Sequence, residues 1–227
     1  SIYLFIWFFY VTSITIWKRN IQKTFPMKKT KNIILKEGFR SVLSDGIKAF
    51  TVENLASSLT MSKKTIYQYF PNKEILIRKI IDYRMNKLTN EFKDIIREHD
   101  DAIVQFIKIR NHHRKFSNKF NLKKLMKLKA RYPEIWENIE KHRDDRKTIY
   151  KEIFTLAKSQ SYLRADLDPY VCSSIYMNII NTTFQPEFLN DNNLEIGDAI
   201  NHLRTILSNG FFNNAGIKMM NKYEDLV

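Results

Sequence analysis

The fold of this chain is decided by residues 51–76, which read TVENLASSLTMSKKTIYQYFPNKEIL. Thr51 is a good N-cap for a short helix, and Ser62 is a good N-cap for a second one that closes before Pro71. A long amphipathic helix follows and is predicted to run to about His99. Two short helices joined by a tight turn predict a helix-turn-helix, whose second helix normally lies in the major groove of DNA.

The predicted second helix has an apolar face and a polar face. Ile66 and Phe70 form the apolar face, which is expected to dock on the preceding helices. The polar face offers groups that can bind phosphates, guanine or adenine; its members are Lys63, Lys64, Tyr67 and Gln68. Two alternatives stay open, because tyrosines also serve as packing residues and lysines are common on any solvated helix face.

The charge of the chain is concentrated around this motif. The 227 residues include 38 Lys and Arg against 24 Asp and Glu, which gives a net charge of +14. Residues 27–80 alone hold eleven Lys and Arg against four Asp and Glu. A basic chain attracts nucleic acid or an anionic membrane surface, and the position of this charge favours nucleic acid.

A second basic stretch lies further along, where residues 102–133 contain no acidic residue. It is either a solvated helix face or an addition to the field that attracts phosphates. Its ten cationic residues are Lys108, Arg110, Arg114, Lys115, Lys119, Lys123, Lys124, Lys127, Lys129 and Arg131.

Composition favours a helical protein without catalytic or metal chemistry. Five Gly and five Pro leave few turn residues, and residues 31–44 show the apolar spacing of a helix. The single Cys172 excludes an internal disulfide and is interpreted as a small buried hydrophobe, with a redox sensor as the alternative. His112 and His113 point to different helix faces and cannot chelate one metal. No phosphate loop, nucleophile elbow or zinc motif occurs, so we expect no enzyme, metal or cofactor.

Residues 1–26 differ from the rest of the chain. Residues 2–17 carry no charge and reach roughly 24 Å as a helix, a little short of the ~30 Å hydrocarbon core of a bilayer. The preferred interpretation is that the native protein starts at Met27 and that this extension does not belong to it. A membrane anchor, which would make the chain a tethered regulator, and an extra packed helix are the alternatives; membrane contact is not expected.

Residues 33–76 resemble the DNA-binding domain of the tetracycline-repressor-like (TetR) family. The resemblance rests on GIKAFTVENLA at 46–56, LTMSKKTIYQYF at 59–70 and NKEIL at 72–76. It implies an all-α, cytoplasmic, homodimeric regulator, usually a repressor, with double-stranded operator DNA and a small-molecule effector as partners. The three-helix helix-turn-helix domain would span 27–76, and an effector-binding and dimerisation domain 77–227.

The resemblance also implies roles for single residues. Residues that match Lys63, Lys64, Thr65, Tyr67 and Gln68 face the groove in the family, and those that match Tyr69 and Lys73 hold phosphates. Thr51 and Ser62 complete the predicted DNA-binding set. The chain departs from the family pattern at three positions: Thr60 replaces a frequent turn glycine, and Glu37 and Gly38 replace alanines.

Two further sites are expected in the C-terminal region. An apolar effector pocket is expected among residues whose alternative role is core packing: Phe106, Ile109, Phe116, Phe120, Trp136, Phe154, Tyr176, Met177 and Ile180. By the resemblance, helices at 168–184 and 195–214 form a four-helix bundle with a second copy, with intrachain packing as the alternative. The interface residues selected on these helices are Ile175, Ile179, Ile200, Leu203, Leu207 and Phe211.

Overall fold

The computed structural model of the chain describes residues 27–117 and 121–224, and of residues 113–117 and 224 it describes only the backbone. These residues form helices joined by short connections, and the prediction of an all-α fold is confirmed. The only β pairing among them is a single antiparallel bridge between Leu163 and Phe212.

The N-terminal helices are α1 (27–45), α2 (Val52–Ser58), α3 (Lys63–Tyr69) and α4 (Lys73–Glu98). Both predicted N-caps are confirmed: the Thr51 side chain accepts a hydrogen bond from the backbone N–H of Asn54, and that of Ser62 from Thr65. The core of this region is built from the apolar face of each helix. Its fully buried members include Ile34, Phe50, Leu55, Ile66, Phe70, Leu76, Ile77 and Ile80.

The chain divides into two compact units. One unit runs up to Ser44 and resumes at Phe50–Ile80, and the other contains Asp45–Ala49 and the chain from Ile81 onwards. Helix α4 is continuous through the division at Ile80. The domain ranges given from the sequence stay a prediction.

The second unit contains α4 beyond Ile80 and eight further helices among the described residues. Their bounds are α5 (Ala102–Ser117), α6 (Leu122–Arg131), α7 (Pro133–Asp144), α8 (Lys147–Ser159), α9 (Pro169–Thr183), α10 (Pro186–Asp191), α11 (Ile196–Phe211) and α12 (Asn214–Glu224). Helices α5, α8, α9, α11 and α12 pack together, while α6, α7 and α10 form a second group that reaches α9.

Local sequence explains where several of these helices begin. The predicted N-cap Asp168 accepts a hydrogen bond from Val171 N at 2.9 Å, and Pro169 occupies the first helical position of α9. Helix α12 was not predicted from the sequence. It docks on α5 and buries Met220. Gly216 lets α12 approach the segment after α8, because a Cβ there would lie 2.9 Å from the Tyr162 carbonyl oxygen.

Within residues 27–117 and 121–224, no helix is both long enough and apolar enough to cross a membrane. The apolar segment 2–17 and the rest of residues 1–26 lie outside the described residues. The interpretation of Met27 as the native start, and the anchor and packed-helix alternatives, therefore stay predictions.

Candidate nucleic-acid interface

The turn between α2 and α3 is tight and depends on Thr60. Thr60 has φ +53°, in the left-handed region that glycine adopts most easily. Its N–H bonds to the Ser57 carbonyl at 3.1 Å, and the Met61 N–H bonds to the Ala56 carbonyl at 2.9 Å. Thr60 therefore takes the backbone conformation of the turn glycine that it replaces, and it bears the strain of its Cβ there.

Helix α3 is anchored by one face and leaves the other exposed. Ile66 and Phe70 are buried, as predicted for the docking face. Lys64 and Gln68 are exposed, and Tyr67 is half-buried at the edge of the exposed face. This geometry leaves donors and acceptors available on the polar face of a helix of seven residues.

Lys63, predicted to face DNA, is engaged within the protein. Its ammonium forms an ion pair with the Glu53 carboxylate on α2 and lies 5.8 Å from the centroid of the Tyr67 ring. The hydrogen bond from Lys63 lowers the pKa of Glu53, and the same bond raises the pKa of Lys63. Glu53 was missed by the sequence analysis because ten residues separate it from Lys63, and only the docking of α2 on α3 brings the two together.

Three hydroxyl side chains of the predicted DNA-binding set, those of Thr51, Ser62 and Thr65, form hydrogen bonds at the starts of helices. Thr51 Oγ1 lies 3.1 Å from Asn54 N, and Ser62 Oγ lies 3.0 Å from Thr65 N and 2.8 Å from Thr65 Oγ1. Each of these oxygens accepts a backbone hydrogen bond or shares a hydroxyl contact. They fix where α2 and α3 begin, which in turn fixes the direction of α3.

The two predicted phosphate-binding residues are Tyr69, the last residue of α3, and Lys73, the first residue of α4. Lys73 donates a hydrogen bond to the Phe50 carbonyl, and its ammonium lies 5.7 Å from the Phe50 ring centroid. Tyr69 is half-buried, with its ring centroid 6.5 Å from that of Phe70. Lys31 of α1 also contacts this end of α3, with its ammonium 5.6 Å from the Phe70 ring centroid. Lys73 thus ties the start of α4 to the segment before α2.

In the second unit, several predicted pocket residues come together. The ring centroids of Phe106, Phe154 and Tyr176 lie 5.7–6.2 Å apart. Ile109 and Met177 belong to the same buried cluster, and Ile180 packs against it. This convergence agrees equally with a pocket wall and with a plain core, so the pocket stays a prediction.

Trp136 makes its contacts with polar residues instead. Its indole N–H donates to Glu140 at 2.7 Å, and its ring lies 5.5 Å from Lys129 Nζ and 5.5 Å from the Arg143 guanidinium. The side chain of Phe116 and the whole of Phe120 lie outside the described residues. Helix periodicity was the basis for selecting these residues. It does not predict whether an aromatic side chain packs in the group of α5, α8, α9, α11 and α12 or in the group of α6, α7 and α10.

The predicted interface residues divide between the surface and the interior. Ile175 is 47% exposed, whereas Leu207 and Phe211 are 8% and 7% exposed and belong to the core of this chain. The selection of all six residues for contact with a second copy stays a prediction. A broad apolar stripe is visible in the sequence, but the part of it that turns inward is not. Ile179, Ile200 and Leu203 are half-buried.

A capped second helix, anchored by its apolar side and exposed on a basic polar side, defines a helix-turn-helix DNA-binding protein. A sequence model described as "Bacterial regulatory proteins, tetR family" matches residues 34–80. Residues 34–80 therefore form the DNA-binding domain of this family of transcriptional regulators, as the resemblance predicted. An uncharacterized HTH-type transcriptional regulator, YvaF of Bacillus subtilis (strain 168), is 22% identical over 178 residues, which cover 78% of this chain and 93% of YvaF.

Solved structures with the same fold extend over most of the chain. A transcriptional regulator from Cytophaga hutchinsonii ATCC 33406 has a TM-score of 0.64 at 15% identity, covering 79% of this chain and 97% of that one. SmeT, the repressor of a multidrug efflux pump of Stenotrophomonas maltophilia, has a TM-score of 0.60 at 13% identity, with 82% and 92% covered. FadR from Bacillus subtilis, solved in complex with stearoyl-CoA, has 0.56 at 19% identity, with 78% and 97% covered.

Proposed function

We propose that this regulator is a ligand-responsive repressor that binds a near-palindromic operator as a homodimer. The observation that carries the proposal is the exposed polar face of α3, held in direction by the Ser62 cap and by buried Ile66 and Phe70. Lys64, Tyr67 and Gln68 are the base-reading and phosphate-reading candidates on that face. The eleven cationic residues of 27–80 supply the attraction to phosphates.

The homodimer is supported by apolar side chains that the described chain leaves at the surface of two contacting helices. On α9, Val171 and Ile175 are exposed and lie one turn apart. On α11, Ile206 is 63% exposed. Exposed apolar patches of this kind mark interaction sites, and a two-fold dimer would present two α3 helices about 34 Å apart, one turn of DNA.

The ligand response follows from linkage. An effector that binds better to the state with the wrong spacing of the two α3 helices must weaken operator affinity. Helix α4 is the proposed lever because it is continuous over 26 residues from the DNA-binding unit into the second unit. Relatives of the same fold support a sensor role for the second unit, since FadR was solved with stearoyl-CoA.

The proposal has consequences for location and chemistry. A regulator of this kind acts where the chromosome is, so we place it in the cytoplasm. Its work is binding and conformational change, and we assign it no catalytic step. Cys172 is buried and burial raises the pKa of its thiol, which supports a packing role over redox sensing.

DNA reading is tested by selecting bound sequences from random duplex DNA with the full chain. We expect one enriched palindrome, and its loss in the double variant Lys64→Ala/Tyr67→Ala. The control variant Lys218→Ala, an exposed lysine on α12, should enrich the same palindrome. Enrichment of no sequence, with binding that depends only on salt, would overturn the proposal.

The dimer is tested by sedimentation of the variant Val171→Asp/Ile206→Asp. We expect the concentration of half-dissociation to rise at least about 100-fold, because two charges would be buried in each half of an apolar interface. Ile33→Asp places the same charge on an exposed apolar residue of α1 and should leave the dimer unchanged. A wild-type chain that sediments as a monomer at micromolar concentration would refute the dimer.

A further inference from the structure

The second unit contains arginines that are withdrawn from water. Arg110 on α5 and Arg146, at the start of α8, are buried, and Arg146 is only 5% exposed. Nη1 of Arg143, on α7, is also buried and has no hydrogen-bond partner among the described residues. A guanidinium in a protein interior is costly unless an anion compensates its charge. The presence of Arg146 and Arg143 here calls for a reason beyond packing.

The surroundings of Arg146 supply little negative charge. Its Nε donates to the His142 carbonyl at 3.1 Å, and its guanidinium lies 5.9 Å from the Phe92 ring centroid. Within the part of the chain that the structure describes, no carboxylate lies within 4.0 Å of it. Burial lowers the pKa of Arg146 to about 10; the charges of Tyr150 and Asp145 oppose this shift, and the charge of Arg143 adds to it.

Arg143 is half-buried, and its guanidinium lies 5.5 Å from the Trp136 ring centroid. Burial is also the main cause that lowers the pKa of Arg143, and only the charges of Glu140 and Asp144 act in the other direction. The positive charge of Arg143 adds to the lowering of the Arg146 pKa, and two positive charges in one buried region favour an anion there. Arginine suits such a site because its planar fork can bind a carboxylate or phosphate through two parallel hydrogen bonds.

Polar groups lead from Arg146 into the aromatic cluster. Tyr150, one turn after Arg146 on α8, is hydrogen-bonded to Tyr176 of α9, and their ring centroids are 4.4 Å apart. Burial raises the pKa of Tyr176, while the Tyr150 bond and the positive charge of Arg110 lower it in part. The Tyr176 ring packs against the apolar rings of Phe106 and Phe154. Cationic, hydroxyl and apolar side chains therefore meet in one buried region.

We propose that the effector of this regulator is an amphiphilic organic anion whose head binds Arg146 and whose apolar body lies among Phe92, Phe106 and Phe154. Arg143 and the two tyrosine hydroxyls complete the contacts of the head. This inference rests on the proposed ligand response of the second unit. Bound anion compensates the buried guanidinium charge, and the apolar body gains by leaving water.

The test is isothermal titration of the full chain with three probes of equal chain length: dodecanoate, dodecyl phosphate and 1-dodecanol, all below their micelle concentrations. We expect at least one anion to bind 10-fold or more tightly than the alcohol, and the two anions distinguish a carboxylate head from a phosphate head. Equal affinity for all three probes, or no binding of any, would overturn the proposal.

Variants locate the head-group site. Arg146→Met keeps the side-chain volume and removes the charge, so it should abolish the preference for the anion over dodecanol, whereas Arg146→Lys should keep part of it. The control is Arg97→Met, which removes an exposed arginine of α4 that is paired with Asp94. If Arg146→Met retains the full preference, the head does not bind there and the proposal fails.

Stability and DNA binding separate this inference from the general proposal. Arg146→Met should melt no lower than the wild type, because it relieves an uncompensated buried charge. A purely structural arginine would instead lower the melting temperature when removed. The same preparations are tested on the selected operator: operator binding without any anion preference overturns only the effector class, whereas no operator at all overturns the proposed function itself.

Discussion

Gly38 on α1 is required because Ile80 occupies the space where a side chain would lie. A Cβ on Gly38 would be 2.4 Å from Cδ1 and 2.9 Å from Cγ1 of Ile80, and 3.7 Å from Cδ2 of Leu55. Ile80 and Leu55 are fully buried, so neither can turn toward solvent. The favourable distance between two carbons is about 3.5–4.0 Å. The variant Gly38→Ala is therefore expected to push Ile80 from its position.

The magnitude follows from two opposing effects. Alanine is a better helix former than glycine by about 1 kcal/mol in a helix interior, which favours the variant. Overpacking a filled core costs about 1–3 kcal/mol, and the upper end applies because the closest contact is more than 1 Å too short. We therefore expect Gly38→Ala to lower the free energy of unfolding by about 2 kcal/mol. A helix-propensity argument alone predicts the opposite sign.

The assay is urea unfolding of the full chain, followed by circular dichroism, for a double-mutant cycle with Ile80→Val. Valine lacks Cδ1, so the pair should show a favourable coupling of about 2 kcal/mol although Ile80→Val alone costs about 1 kcal/mol. The control Gly197→Ala, on α11, adds a Cβ that meets no described atom within 4 Å and should not destabilise. An unchanged or raised stability of Gly38→Ala would refute the steric argument.

Two further substitutions and one reactivity measurement test single residues. Thr60→Gly should raise the free energy of unfolding by about 1 kcal/mol in a thermal melt, because it relieves a side chain at φ +53°. Glu53→Gln should release the Lys63 ammonium toward phosphate and steepen the log–log salt dependence of operator binding by about 0.9 per protomer; an unchanged slope would place Lys63 away from DNA, and adding Lys63→Gln should reverse the effect. Native Cys172 should react with Ellman's reagent at least about 100-fold more slowly than the thiol in guanidinium chloride, because it is buried and its pKa is raised.

The helix-turn-helix was predictable because its signals are local. An N-cap oxygen reaches a backbone N–H only three residues away, as at Thr51, Ser62 and Asp168, so the residue type and the start of a helix are coupled within one turn. Apolar spacing likewise identified Ile66 and Phe70 as the docking face of α3. These features need no knowledge of what the helix packs against.

Contacts between distant residues were not predictable in this way. The pairing of Glu53 with Lys63 depends on the angle at which α2 meets α3, and the contact of Lys73 with Phe50 joins residues that are 23 positions apart. Helix α11 shows the same limit of sequence-based prediction. Its apolar stripe is wider than the face that packs against the rest of the chain. Only packing against α5 and α9 decides that Leu207 turns inward and Ile206 outward.

Sequence alone was sufficient for the helical class, the family of the DNA-binding domain and the capped helix α3, because propensity, capping and apolar period act within a few residues. Tertiary structure alone decided which polar groups lose their water. Arg146 lies in a highly charged stretch of sequence that is typical of an exposed helix, yet it is buried beside Tyr150 and Phe92. The free energy of a charge depends on everything packed around it, and that environment exists only after distant helices have come together.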